Sequence, residues 1–206
     1  MADQKRQKPL RADAERTVQT ILTAAERVLS ANPAATMEQI AEAAGVARTT
    51  VHRRFATREA LVDALSEWAT RQFHDAVVGA PVTAPPLVTL YQVTANVLRV
   101  KIGWGFAMSR RTPQDPEVAQ VHADVLERCD TLFLRAREAG VLRPDADLLW
   151  VRQVYYALIH EAAQNRADDL TASPNAEVDT LATQVVDTLL HGLGGPGASG
   201  STLTHP

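Results

Sequence analysis

Apolar side chains recur at three-and-four spacing along almost the whole 206-residue chain, and stretches alternating at every second position are nearly absent. A stripe of the first period covers one face of a helix, whereas a half-buried strand requires period two. The chain is therefore expected to be all-α. Val18, Ile21, Leu22, Ala25, Val28 and Leu29 form the first stripe, in a helix from about Asp13 to the "ANP" segment, where Pro33 disfavours continuation. Thr36 is placed to cap a short second helix, with Gln39 three residues on in capping-box register. Met37, Ile40, Ala41 and Ala44 face inward before Gly45 breaks it. A third helix is predicted from about Ala47 to Phe55, with Val51 and Phe55 on one face. A longer helix opens at Thr57 and carries Leu61, Val62, Leu65, Trp68, Ala69 and Phe73.

Beyond a proline-rich connector, "GAPVTAPP" (79–86), the same period continues. Helices are predicted at about 87–101, 116–139, 147–166 and 175–191. "GWGFAM" (103–108) reads as a glycine-broken aromatic segment and "RTPQDP" (111–116) as a turn. Gly140 stands where a left-handed helix cap is expected. The closing "GLGGPGASGSTLTHP" is too rich in Gly, Ser and Pro to pack and is expected to be disordered. The reading is about nine helices in four parts: 1–56, an arm with a three-helix domain; 57–78, a connecting helix; 79–193, a larger helical domain; and 194–206, the tail.

Charge is divided unevenly along that plan. Residues 1–60 hold ten Lys/Arg against seven Asp/Glu, while the remainder holds eleven against seventeen. A basic module for a polyanion joined to an acidic remainder is the implication. No stretch approaches the roughly 18 uninterrupted apolar residues of a membrane span, and no signal-peptide pattern opens the chain. Cys129 is the single cysteine, which excludes an intrachain disulfide and suits a reducing compartment. A soluble, cytoplasmic protein without a membrane partner is expected.

The basic character concentrates in "GVARTTVHRRF" (45–55). Two short helices joined by a glycine turn are the pattern of a helix-turn-helix. Ile40, Ala41, Val46, Val51 and Phe55 must share one core so that the second helix is held off the body. Its other face, with Arg48, Thr49, His52 and Arg53, is then free for a major groove about 12 Å wide. Guanidinium groups bond guanine edges in pairs, and threonine bonds phosphate or touches a thymine methyl. The competing reading is a solvated face that happens to be basic.

Residues 21–65, with their "IL-AA" helix, "TMEQIAEAAGV", an aromatic closing the recognition helix and "REAL" opening the fourth, resemble the N-terminal domain of the TetR family of transcriptional regulators. The resemblance implies that Arg48, Thr49, Thr50, His52 and Arg53 read bases or adjacent phosphates. It places Thr36, Arg54 and Arg58 at DNA-backbone positions. The chain departs from the family pattern at Ala47, where many members carry a capping serine, at Thr49, and at His52-Arg53-Arg54, where a Tyr-Arg-His run is common. Base preference therefore cannot be copied. The arm "MADQKRQKPLR" either reaches DNA or is a disordered tail.

The remaining residues suggest two further tasks. Helices near 147–166 and 175–191 carry wide apolar stripes. Leu158, Ile159, Ala162, Ala182, Val186, Leu189 and Leu190 are candidates for a four-helix dimer interface, which the family resemblance implies, against a wholly intramolecular core. Gln92, Asn96, Trp104, Phe106, Met108, His122, Phe133, Tyr155 and Tyr156 supply the apolar and polar mixture of a ligand cavity, against ordinary core packing. No cofactor is implied, and a small hydrophobic or aromatic ligand suits the list. "HEAAQ" (160–164) lacks the second histidine of a zinc motif, and no nucleophile elbow occurs, so catalysis is not expected. The leading reading is a dimeric repressor released from a palindromic double-stranded DNA operator by such a ligand. The alternative is a ligand-independent architectural or protein-interaction factor of the same fold.

Overall fold

The computed structural model describes residues 3–81, 83–110, 116–164 and 174–192, with side chains omitted at 3–12, 117 and 174–176. Nine α-helices and no strand occur among the described residues: α1 (Asp3–Ala31), α2 (Met37–Ala43), α3 (Arg48–Arg54), α4 (Arg58–Val78), α5 (Pro86–Gly103), α6 (Gly105–Ser109), α7 (Pro116–Glu138), α8 (Leu148–Gln164) and α9 (Pro174–His191). The all-α expectation holds. The expected turn at 111–116 falls almost wholly outside the described residues, and so does the expected tail.

Helix limits follow capping chemistry. Thr36 accepts from the Gln39 amide at 3.3 Å while the Gln39 side chain accepts from the Thr36 amide at 2.9 Å, a complete capping box on α2. Gly45 ends that helix at φ +65°, with Val46 N donating to Ala41 O and Gly45 N to Glu42 O, the two bonds of a Schellman motif. Gly140 closes α7 in the same way at φ +73°. Thr57 caps α4 through the Ala60 amide, and Asp147 caps α8 through the Leu149 and Trp150 amides. Helix α1 begins well before its apolar stripe, because its first turns are polar helix formers that hydrophobic periodicity does not detect. Pro9 lies inside it and leaves one i→i−4 bond unmade.

The chain divides into two compact units, residues 1–72 with 103–119, and residues 73–102 with 120–206. Helix α4 begins in the first and ends in the second. The core of the first unit gathers Ile21, Leu22, Leu29, Ile40, Val51, Leu61 and Leu65, all at most 2 % exposed, with Phe55 and Ala107. Fully burying one such side chain contributes about 1.5–3 kcal/mol. The core of the second unit takes Leu90 and Leu98 from α5, Phe133 and Ala136 from α7, Tyr155 and Ile159 from α8, and Val178, Ala182, Val185 and Val186 from α9. Tyr155 sets its ring edge-on to Phe133 at 5.4 Å, and its hydroxyl lies 2.9 Å from that of Thr94.

Candidate nucleic-acid interface

Helix α3 has one face inside and one outside. Val51 is fully buried and Phe55, just beyond the last turn, is 7 % exposed. Val46 packs against the same core. These contacts hold α3 by its inner face and leave Arg48, Thr49, His52, Arg53 and Arg54 exposed, with Thr50 half-buried. Ala47 occupies the N-cap of α3 without a side-chain bond, so the departure from serine does leave that end uncapped. His52, Arg53 and Arg54 sit in the last turn, where cations complement the helix dipole.

The basic side chains are not equivalent. Arg48 is bound on one side: its Nη2 lies 2.6 Å from Glu38 Oε1 on α2, and its Nε is 3.4 Å from His52 Nε2. Arg54 borders a groove with Val18, Gln19 and Trp68. Arg58 donates from Nε to Ala35 O at 3.2 Å and from Nη2 to Pro33 O, which ties the start of α4 to the loop before α2. Thr36 is exposed at the head of α2, and its hydroxyl oxygen is engaged by the capping box. Arg27 similarly joins α1 to the end of α2 by donating to Ala43 O. Arg58 thus has a structural duty within the protein itself.

Sequence reading missed Glu26. It lies 5 % exposed on α1 and accepts from the amides of Phe106 at 2.7 Å and Ala107 at 3.0 Å, with the Ser30 hydroxyl at 3.2 Å. Those amides open α6, whose N-cap residue Trp104 offers no side-chain bond. A carboxylate some eighty positions earlier thus does the work of a capping residue. Burial pushes its carboxyl up from the ordinary range, while the two amides and Ser30 pull it down. The signal was available: a glutamate sits within the apolar stripe of α1.

The nine cavity candidates are distributed between the units. Trp104, Phe106 and Met108 pack on the core of the first unit. In the second, Phe133, Tyr155 and Tyr156 cluster, with the two tyrosine rings 6.2 Å apart. Gln92 and Asn96 line a separate groove of about 470 Å³ with Tyr91, Arg99 and Asp179. His122 is exposed on α7. The space beside Cys129, Thr89 and Val93 is only about 10 Å³, room for one water at most. Among the described residues no nitrogen or oxygen bonds the buried Tyr156 hydroxyl. Its neighbour is the Cys129 thiol, a weak donor and acceptor, and burial raises the pKa of both groups.

The interface candidates also separate. Ile159, Ala182 and Val186 are 3 % exposed or less, filled in by the chain's own packing. Leu158, Ala162, Leu189 and Leu190 are half-buried. Leu149 and Trp150, at the start of α8, are 53 % and 64 % exposed. Among the described residues no cluster of three His, Cys, Asp or Glu could hold a metal, and no helix is long and apolar enough to cross a membrane.

Comparison with known proteins adds an independent line. Residues 21–65 match the family described as "Bacterial regulatory proteins, tetR family". The chain is 33 % identical over 162 residues to the HTH-type transcriptional repressor LfrR of Mycolicibacterium smegmatis, covering 73 % of this chain and 81 % of the relative. It is 26 % identical over 191 residues to the HTH-type transcriptional regulator NfxB of Pseudomonas aeruginosa, covering 87 % of this chain and all of that protein. The crystal structure of LfrR from Mycobacterium smegmatis in complex with proflavine superposes with a TM-score of 0.64 at 26 % identity, over 87 % of this chain and 98 % of that one.

Proposed function

Because the chain belongs to the TetR family of transcriptional regulators, we propose that it is a dimeric repressor that leaves its operator when a small aromatic or hydrophobic molecule binds among α5, α7 and α8. The observation that carries the DNA-binding half is α3 itself: Val51 and Phe55 held in a core, Arg48, His52 and Arg53 in solvent. Arg48 and Arg53 read base edges, and Thr36, Thr49, Thr50 and Arg54 take bases or phosphates beside them. Two copies reading successive major grooves hold their recognition helices about 34–36 Å apart, which requires a palindromic site. Selection from a pool of random duplexes, read by anisotropy at fixed salt, tests this. Enriched palindromes with that spacing are expected; a pool that shows no enrichment contradicts the reading.

The dimer is built from α8 and α9 through Leu158, Ala162, Leu189 and Leu190, the half-buried members of the stripe. Leu190→Arg yields monomers in sedimentation and loses palindromic binding, whereas persistence as a dimer places the interface elsewhere. The ligand is anchored by Tyr156, whose buried hydroxyl has only the weak Cys129 thiol beside it. A repressor similar to this chain has been seen with proflavine, which makes proflavine the first probe. Helix α4 links the chain of α3 to the second unit covalently. A ligand that favours one setting of that link weakens operator binding, and by linkage the operator weakens ligand binding by the same factor. A coupling of about 1–3 kcal/mol gives roughly a 5- to 150-fold loss of DNA affinity. One observation favours the ligand-independent alternative: the space beside Cys129 is about 10 Å³. Proflavine titration separates the two, since an architectural factor keeps its operator at every concentration.

A further inference from the structure

We propose that Glu38 on α2 is a specificity-determining positioning residue, which holds the Arg48 guanidinium by one edge so that its other edge meets a guanine. The inference rests on the reading of α3 as the recognition helix. Arg48 is contacted at two of its three guanidinium nitrogens: Nη2 lies 2.6 Å from Glu38 Oε1 and Nε 3.4 Å from His52 Nε2. Nε and Nη2 form one edge of the planar fork. At the opposite edge, formed by Nη1 and Nη2, Nη1 has no partner among the described residues. Two parallel N–H groups at that edge are what the O6 and N7 acceptors of guanine receive.

Glu38 is suited to the task because it is itself held. Its own backbone amide and the nearby Thr36 hydroxyl hold its carboxyl below the ordinary range. Thr36 accepts from the Gln39 amide through its oxygen, which leaves its hydroxyl hydrogen able to turn toward Glu38. The chain of contacts therefore runs from the cap of α2 through Glu38 to a side chain on α3. An arginine 65 % exposed would otherwise sample many rotamers, and fixing it beforehand reduces the entropy lost when DNA binds. In the free protein such an exposed pair contributes little to stability. Its effect falls on recognition. A carboxylate beside the DNA also repels phosphate, so Glu38 lowers general affinity while raising discrimination. That opposition distinguishes positioning from ordinary electrostatics and from folding.

The test uses the full chain, the duplex recovered by selection and a random-sequence duplex, with anisotropy over a range of salt. Glu38→Gln is expected to lower the operator-to-random affinity ratio about 10-fold, with the loss confined to one base position per half-site. The same variant binds random duplex more tightly, and its salt slope steepens by about one unit. In an Arg48→Ala background, Glu38→Gln changes the ratio by less than about twofold, since the pair acts as a unit. Glu38→Asp keeps the charge on a stem too short to reach Arg48; it loses discrimination with an unchanged salt slope, and it serves if the glutamine variant folds poorly. An unaltered ratio in both variants, or an equal loss with and without Arg48, overturns the proposal. A wild-type chain that fails to discriminate operator from random duplex overturns the recognition-helix reading itself, and this proposal with it.

Discussion

Glu26 in the first unit and the hydroxyl of Tyr156 in the second are both removed from water, and they differ in what meets them. Glu26 receives two amides and a hydroxyl. Tyr156 has only the Cys129 thiol, a weak partner, beside its hydroxyl among the described residues. A buried polar group with all its partners fixes its surroundings; one without them leaves free energy that a new partner can recover. The first unit is thus built to present α3 in one geometry. The second keeps a polar group in reserve, where a ligand acceptor would gain the most.

The largest way to disturb this contrast is to place an uncompensated charge in the second core. Val186 has no exposed surface, so Val186→Asp should cost several kcal/mol. It is expected to unfold the second unit, rather than only separate subunits, as a loss of helical circular dichroism; a folded monomer would show that Val186 faces a partner instead. Next comes Glu26→Ala, which leaves the Phe106 and Ala107 amides unpaired. A loss of about 2–4 kcal/mol in urea unfolding is expected, and an unchanged midpoint would mean that water replaces the carboxylate.

Two smaller effects sharpen the comparison. Tyr156→Phe removes a hydroxyl whose neighbour is only the weak Cys129 thiol, and should change stability by less than about 1 kcal/mol, while weakening proflavine binding. A clear destabilisation would reveal a partner for the hydroxyl. Glu26→Gln tests the carboxyl's titration. Its folded pKa is raised by burial, so between the unfolded and folded values the native chain holds the proton more tightly. Raising pH through that window, upward from the ordinary glutamate value, therefore removes stability. The glutamine variant should show a flatter dependence of unfolding free energy on pH there, and an identical slope would assign the effect to other carboxylates.

Local chemistry made most of the helix plan legible. Thr36 with Gln39, and Gly45 and Gly140, each declare a helix end within a few residues, and the structure completes those bonds. Helix α6 was not legible. It has five residues, begins after an uncapped Trp104, and depends on Glu26 from α1. A contact across that separation has no local signature. The Glu38–Arg48 pair was hidden similarly, because the Schellman turn at Gly45 decides how α2 faces α3. The stripes of α8 and α9 were legible as apolar, but periodicity does not say what covers them. Ala182 and Val186 are covered by the rest of the chain, while Leu189 and Leu190 remain half-buried. Trp104, Phe106 and Met108 carried the same ambiguity and pack on the first core.

The central claim is that the exposed face of α3 reads bases, and operator discrimination by arginine variants tests it most directly. Anisotropy titrations of wild-type, Arg48→Ala and Arg53→Ala chains against the selected operator and single-base variants of it supply the measurement. Each substitution is expected to weaken operator binding by about 1–3 kcal/mol and to relax preference at one position per half-site, with random-duplex affinity changed far less. Wild-type discrimination in both variants would contradict the account.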